Sequence, residues 1–204
     1  AYDSAVAGAK AEDYSRLFAE ADAYNRKLRD LAFPLSDYEQ IEGYEDLLVL
    51  GTCKVMARIS IEKIAVDLPV YHGSSDAVLN IAVGHLQGSS LPVGGAGTHA
   101  ALTAHRGLPS ARLFTDLNRL DLEDTFMLTV LDRELTYRIV EISTVEADDL
   151  DQLTILPGED LCTLFTCTPY GINTHRLLVR GERLVETDPG AEFGGVDGVG
   201  EDGG

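Results

Sequence analysis

Along residues 4 to 31 the apolar positions return every three or four places. Tyr14, Leu17, Phe18, Ala21, Tyr24, Leu28 and Leu31 lie on one stripe, and Glu12, Asp13, Glu20, Asp22, Arg26 and Lys27 fill the gaps. This spacing predicts an amphipathic helix. The next stretch, "LAFPLSDYEQIEGYEDLLVL", holds Pro34, a polar run and Gly43, so it reads as a loop leading into a brief helix. From Val55 the period changes to two. "VMARISI" alternates Val55, Ala57, Ile59 and Ile61, "TFMLTVL" alternates Phe126, Leu128 and Val130, and "LTYRIVEI" begins with Leu135, Tyr137 and Ile139. Short strands parted by "HGSSD", "VGGAG" and "HRGLPS" predict a closed or nearly closed β-barrel, with one helical turn at "PSARLFTDL" that Ser110 could cap. Beyond Leu184 the pattern is lost in Gly and acidic residues that have nothing to bury. The chain is therefore expected to divide into an N-terminal helical and connecting segment (1–50), a mainly β domain (51–186) and a disordered acidic, Gly-rich linker (187–204).

Charge narrows the partners. Lys and Arg number 16 against 34 Asp and Glu, a formal charge of -18, which repels phosphate backbones and anionic lipid surfaces and leaves nucleic acid out. No window holds the ~18 apolar residues of a membrane span, and residue 1 does not open a leader peptide. The acidic run "EADDLD" at 146–151 reads as a solvated loop, with the steering of a basic substrate segment as the second reading.

The candidate chemistry centres on "TLFTCTPYGINTHRLLVRG", residues 163 to 181, which sets Cys167 nine residues before Arg176 on strand, turn, strand. A strand-end cysteine is often a small buried hydrophobe. Here the same β zone also offers His105, at the end of "ALTAHRG", as a base or acid for a thiol. A fixed Arg176 cation could hold a carbonyl oxygen as it becomes an oxyanion, and it favours the thiolate. His72, His85, His99 and His175 lack metal-ligand spacing and read as turn or core residues, so no metal and no cofactor is expected. "LPVGG" at 91–95 reads as a turn.

The run "TLFTC" with a following Arg resembles the sortase signature Thr-Leu-x-Thr-Cys with Arg on the next strand. Together with "LPVYHGSS", "GHLQGSSLPVGGAGTHAALTAHRGLPSARLFTDL", "YEDLL" and "TCTPYGINTHRLLVRGER", residues 31 to 185 are similar to the class C, pilus-assembling sortases. The resemblance implies an eight-stranded β-barrel with short helices, preceded by a helix and a lid over the site. It assigns His105, Cys167 and Arg176 as catalytic residues, makes Thr166 a candidate for the substrate groove, and places the lid on Leu31, Ala32 and Phe33. Family lids present Asp-Pro-aromatic; here the acid and the proline are missing, and Asp30 stands one residue early. Phe33 is expected either to lie over the thiol or to close the preceding helix as a core residue.

The implied activity is a cysteine transpeptidase that cuts a Leu-Pro-x-Thr-Gly-like sorting signal and passes the thioacyl group to a Lys amine of the next pilin. Implied partners are pilin precursors bearing such signals, at the outer face of the membrane of a Gram-positive bacterium, with an anchor beyond this sequence. A housekeeping sortase that attaches proteins to a cell-wall precursor is the alternative. A cysteine protease and a non-enzymatic adhesin or pilin are the readings from other classes. With Cys167 as the working thiol, Cys53 and Cys162 are candidates for a disulfide, two free thiols being the other outcome. Cys162 and Cys167 are not expected to bond each other, because five extended residues span ~16 Å against a Cα limit of ~7 Å.

Overall fold

A computed structural model describes residues 2–107, 112–169 and 171–184. The expected cap at Ser110 and the expected linker at 187–204 lie outside those residues. The N-terminal helical pattern is carried by two helices, α1 (Tyr2–Gly8) and α2 (Ala11–Arg29). The break falls at Lys10, which is extended (φ −94°, ψ 153°), and its N–H donates to the Asp13 carboxylate at 3.3 Å. That contact satisfies one of the amides that a helix start leaves unpaired. The stripe read from the sequence faces inward: Leu17, Phe18, Ala21, Tyr24 and Leu28 are all buried.

Polar side chains fix the helical segment to the barrel. The Asn25 amide group makes two hydrogen bonds with the Leu91 backbone, donating to its carbonyl at 3.2 Å and accepting from its N–H at 2.8 Å. Arg29 donates to the Ala96 carbonyl at 2.9 Å. The Tyr2 hydroxyl accepts from the Leu131 N–H at 2.7 Å, and the Arg133 guanidinium lies 3.6 Å above the Phe18 ring.

A short helix α3 (Pro34–Asp37) follows, with Pro34 in the first turn, where its missing N–H costs nothing. Three-residue 3₁₀ turns at Tyr38–Gln40 and Tyr44–Asp46 lead to the strands. These are β1 (Val55–Ile61), β2 (Val66–His72), β3 (Val83–His85), β4 (Thr98–Thr103), β5 (Thr125–Val130), β6 (Arg133–Glu146), β7 (Asp160–Thr168) and β8 (His175–Arg183), with α4 (Asp76–Leu79) before β3. They close into a barrel in the order β1-β2-β3-β4-β7-β8-β6-β5. The eight-stranded barrel is the fold expected from the sequence, and three strands coincide with the alternating runs found there. The β2–β3 and β4–β7 pairs are parallel, and the others are antiparallel.

Inside, Phe126 and Tyr137 stack at 5.4 Å between ring centroids, over a glycine. A Cβ on Gly181 would come within 2.6 Å of the Phe126 ring, so the stack requires a residue without a side chain at that place. No helix among the described residues is long and apolar enough to cross a membrane.

Candidate active site

Strand β7 alternates between two environments. Cys162, Leu164 and Thr166 face the barrel interior, whereas Thr163, Phe165 and Cys167 face outward. Register then sets the neighbours of each outward residue. Across the β7–β8 ladder Thr163 pairs with Arg180, Phe165 with Leu178, and Cys167 with Arg176. Across the parallel β4–β7 ladder Ala101 pairs with Thr163 and Thr103 with Phe165. Two residues beyond each member of that last pair stand His105 and Cys167. The three residues singled out in the sequence therefore meet at one rim of the barrel, on adjacent strand ends. All three are half-buried.

The rim is braced by Thr166, in a role other than the expected one, and by Arg106, which sequence reading missed. Thr166 is 1% exposed and donates its hydroxyl to the Ala104 carbonyl at 2.8 Å, tying β7 to the residue just before His105. Its expected place in the substrate groove is thus corrected, because strand alternation turns Thr166 inward when Cys167 points out. Arg106, next to His105, donates to the Thr168 hydroxyl at 3.2 Å, the Thr115 carbonyl at 3.2 Å and the Asn118 side chain at 2.8 Å. The backbone of His105 is held as well, its carbonyl accepting from the Phe114 N–H at 3.2 Å. Arg176 uses Nη1 on the carbonyls of Asn173 (3.1 Å) and His175 (3.0 Å), and among the described residues it meets no carboxylate. Its Nε and Nη2 make no hydrogen bond among the described residues.

Below the rim lies an apolar row. Phe165, Leu178, Ala101 and Val145 pack with Leu153 of the β6–β7 connection and with Leu35 of α3. The N-terminal segment thus reaches the reactive face through Leu35. Phe33 does not: it is 70% exposed and lines a cavity of about 440 Å³ whose walls include Leu31, Ala32, Leu35, Leu150, Thr154 and Ile155, but none of His105, Cys167 and Arg176. Both expectations for Phe33 are corrected, since it is neither buried at a helix end nor packed on the thiol. The cause is local. Phe33 precedes the first turn of α3, and its carbonyl accepts from Ser36 and Asp37, so the helix start turns Leu35 inward and Phe33 out. Asp30 is exposed and forms no ion pair among the described residues. The seat of α3 is Gly88, at φ +86°, where a Cβ would lie 2.7 Å from the Leu35 Cα and 2.8 Å from the Pro34 carbonyl oxygen.

The disulfide candidate is also corrected, since Cys53 and Cys162 are free thiols. Cys162 is enclosed in β7 opposite Gly181, whereas Cys53 sits in the turn before β1, with β2, β3 and β4 between the two strands around the wall. Burial pushes the Cys162 thiol well above its ordinary pKa.

Three histidines are structural. His85, fully buried, donates from Nε2 to the Ser90 carbonyl at 2.8 Å, and its Nδ1 accepts from the Tyr44 hydroxyl at 2.8 Å. His99 donates from Nδ1 to the Thr154 carbonyl at 2.9 Å, which leaves Nε2 to accept from the Thr163 hydroxyl at 2.7 Å. Burial pushes both imidazoles down to about 4, so both are neutral near pH 7. His72, whose Nε2 donates to the Leu47 carbonyl at 2.9 Å, is lowered for the same reason.

Comparison with known proteins bears on the family and the fold. The sortase domain family matches residues 59–184. Sortase A of Streptococcus agalactiae serotype III (strain NEM316) is 29% identical over 131 residues, covering 63% of this chain and 52% of the relative. Sortase A of Bacillus anthracis is 30% identical over 129 residues, covering 63% of this chain and 60% of the relative. The chain thus spans just over half of the length of the curated relatives it matches. Among solved structures, sortase C1 of Streptococcus agalactiae is 42% identical with a TM-score of 0.81, covering 90% of this chain and 96% of that one. Sortase C-1 of Actinomyces oris is 41% identical with a TM-score of 0.77, covering 85% and 99%. With the family matched over more than half of its residues and the barrel shared with solved class C structures, the chain belongs to the sortase family.

Proposed function

We propose that this chain is the catalytic part of a class C sortase: a cysteine transpeptidase that joins pilin subunits at the outer face of a Gram-positive cell membrane. The observation that carries this reading is the register that sets Cys167 opposite Arg176 and beside the strand end bearing His105. The N-terminal segment, which continues over the reactive face as far as Leu35, favours the pilus branch over the housekeeping one.

In this mechanism Cys167 Sγ attacks the carbonyl carbon of the Thr in a Leu-Pro-x-Thr-Gly-like signal. The oxygen becomes an oxyanion that the Arg176 guanidinium stabilises. Collapse breaks the Thr–Gly bond, and protonated His105 gives its proton to the departing Gly amine. The thioester then waits for an incoming pilin Lys. Its amine attacks the same carbon, gives a proton to His105 and expels the thiolate, leaving an isopeptide bond. The cavity between the Leu31–Ser36 segment and the 150–157 connection offers the peptide a seat.

The test is incubation with a Leu-Pro-x-Thr-Gly peptide, with and without a Lys-bearing amine donor. Mass spectrometry is expected to find a thioacyl adduct on Cys167 and a ligated product only with the donor. Cleavage without ligation under every donor condition would point to a protease and overturn the proposal.

A further inference from the structure

The wall of the cavity that faces the N-terminal segment belongs to the β6–β7 connection, and barrel side chains hold it from beneath. Leu150, Asp151, Leu153, Thr154 and Ile155 line the cavity, and Asp151–Leu153 form a 3₁₀ turn. Two groups from the sheet grip this turn. His99, on β4 and with no exposed surface, reaches the Thr154 carbonyl with Nδ1 and is itself held by the Thr163 hydroxyl. Arg180, on β8 directly opposite Thr163, donates from Nη2 to both the carbonyl (2.6 Å) and the side-chain oxygen (2.9 Å) of Gln152, while its Nη1 pairs with Glu141. The outward face of β7 therefore has three rows: the reactive pair Cys167 and Arg176 at the rim, the apolar pair Phe165 and Leu178 in the middle, and this polar row beneath.

The lowest row lies four strand residues from the thiol, ~13 Å along β7, too far for any of its members to touch the reacting atoms. A buried row of hydrogen bonds that a single hydroxyl or guanidinium completes is costly to leave half-made. The grip gives no group to the barrel interior, and it ends on the residues that form the cavity wall.

We propose that His99, Thr163 and Arg180 are positioning residues that fix the 150–157 wall, and so determine how well a sorting-signal peptide seats beside Cys167. This rests on the transpeptidase reading above and adds to it residues that govern substrate binding without joining the chemistry.

The informative substitution is Thr163→Val, which keeps the branched shape on a buried strand position and removes only the donor to His99. KM for a Leu-Pro-x-Thr-Gly peptide is expected to rise roughly fivefold or more, with kcat close to the parental value. Thr163→Ser restores the hydroxyl and should restore KM. Arg180→Lys should raise KM in the same way, because one ammonium cannot serve Glu141 and both Gln152 oxygens. Hydrogen exchange at the Leu153 and Thr154 amides, which close the 3₁₀ turn on Leu150 and Asp151, should quicken in Thr163→Val and recover in Thr163→Ser. A parental KM in Thr163→Val overturns the proposal, and so does a fall in kcat larger than the rise in KM. If the parent protein does not cleave the peptide, the transpeptidase reading is at fault, and exchange alone decides the bracket. Faster exchange reversed by Ser upholds it, and unchanged exchange overturns it.

Discussion

Strands β4 and β7 each carry a histidine or cysteine low in the wall and another at or just past the rim: His99 and Cys162 below, His105 and Cys167 above. The lower pair is sealed. His99 and Cys162 have no exposed surface, both ring nitrogens of His99 are engaged, and burial holds the imidazole neutral and the thiol protonated. The upper pair is half-exposed and lies beside a guanidinium whose Nε and Nη2 make no hydrogen bond among the described residues. The same two residue types thus serve structure in one place and, in the proposed mechanism, chemistry in the other. Height along the strand and the side of the sheet decide which.

The largest effect expected from breaking this contrast is on Cys167. Cys167→Ala should abolish the thioacyl adduct while the protein stays folded, because the side chain is half-exposed and fills little core. Cys162→Ala should do the reverse, keeping adduct formation and lowering stability by roughly 1 kcal/mol. Mass spectrometry and urea unfolding separate the two, and an adduct on Cys167→Ala would remove the thiol from its assigned role.

Next comes Arg176→Lys, which keeps the charge but not the planar set of donors. Loss of one oxyanion donor in comparable sites costs roughly 2.7–4 kcal/mol, so kcat should fall by two to three orders of magnitude. Turnover near the parental level would show that other donors hold the oxyanion.

The sealed histidines set an acid limit on stability. An unfolded imidazole takes up a proton below about pH 6.5, whereas His85 and His99 stay neutral in the fold until about pH 4. Their contribution is complete above pH 6.5 and is lost as pH falls toward 4, on the order of 3 kcal/mol for each histidine. Urea midpoints measured from pH 7.5 to 4.5 should drop, and His99→Gln should flatten that slope. An unchanged slope in His99→Gln would show that the imidazole is not held neutral.

The smallest effect concerns the N-terminal segment. Leu35→Ala, which removes the side chain packed in the row below Cys167, should speed alkylation of that thiol by a small reagent severalfold, whereas Phe33→Ala should leave the rate as it is. A reversal of the two would place Phe33, and not Leu35, as the contact with the reactive face.

Much of this molecule can be read from local pattern. The stripe from Leu17 to Leu28 and the alternation in "VMARISI" depend on neighbours a few residues away, and they reappear as α2 and β1. The candidate trio was legible because a family motif brings together residues that a single sequence leaves far apart. Phe33 was not legible. Its direction depends on the first turn of α3 and on the contact of Leu35 and Pro34 with Gly88, more than 50 residues downstream. Thr166 was misread because membership in a motif says nothing of the side of the sheet, which follows only when the strand's phase is known. The bracket of His99, Thr163 and Arg180 joins three strands, and no local spacing reveals it.

The parallel pairing of β4 with β7 also bears on how such a protein can change over time. The chain between them carries β5 and β6 of the same barrel together with the loops that join them, and a change of length confined to one of those loops adds no residue to either β4 or β7. An insertion of one residue within β7 is different. It would exchange the two faces of the strand beyond that point, turning Cys167 into the wall and a threonine out beside Arg176, in a barrel that could still close. Such a descendant would keep the shape of its family and none of its reactivity, so drift is tolerated in the connections and forbidden in the count of residues along a single strand.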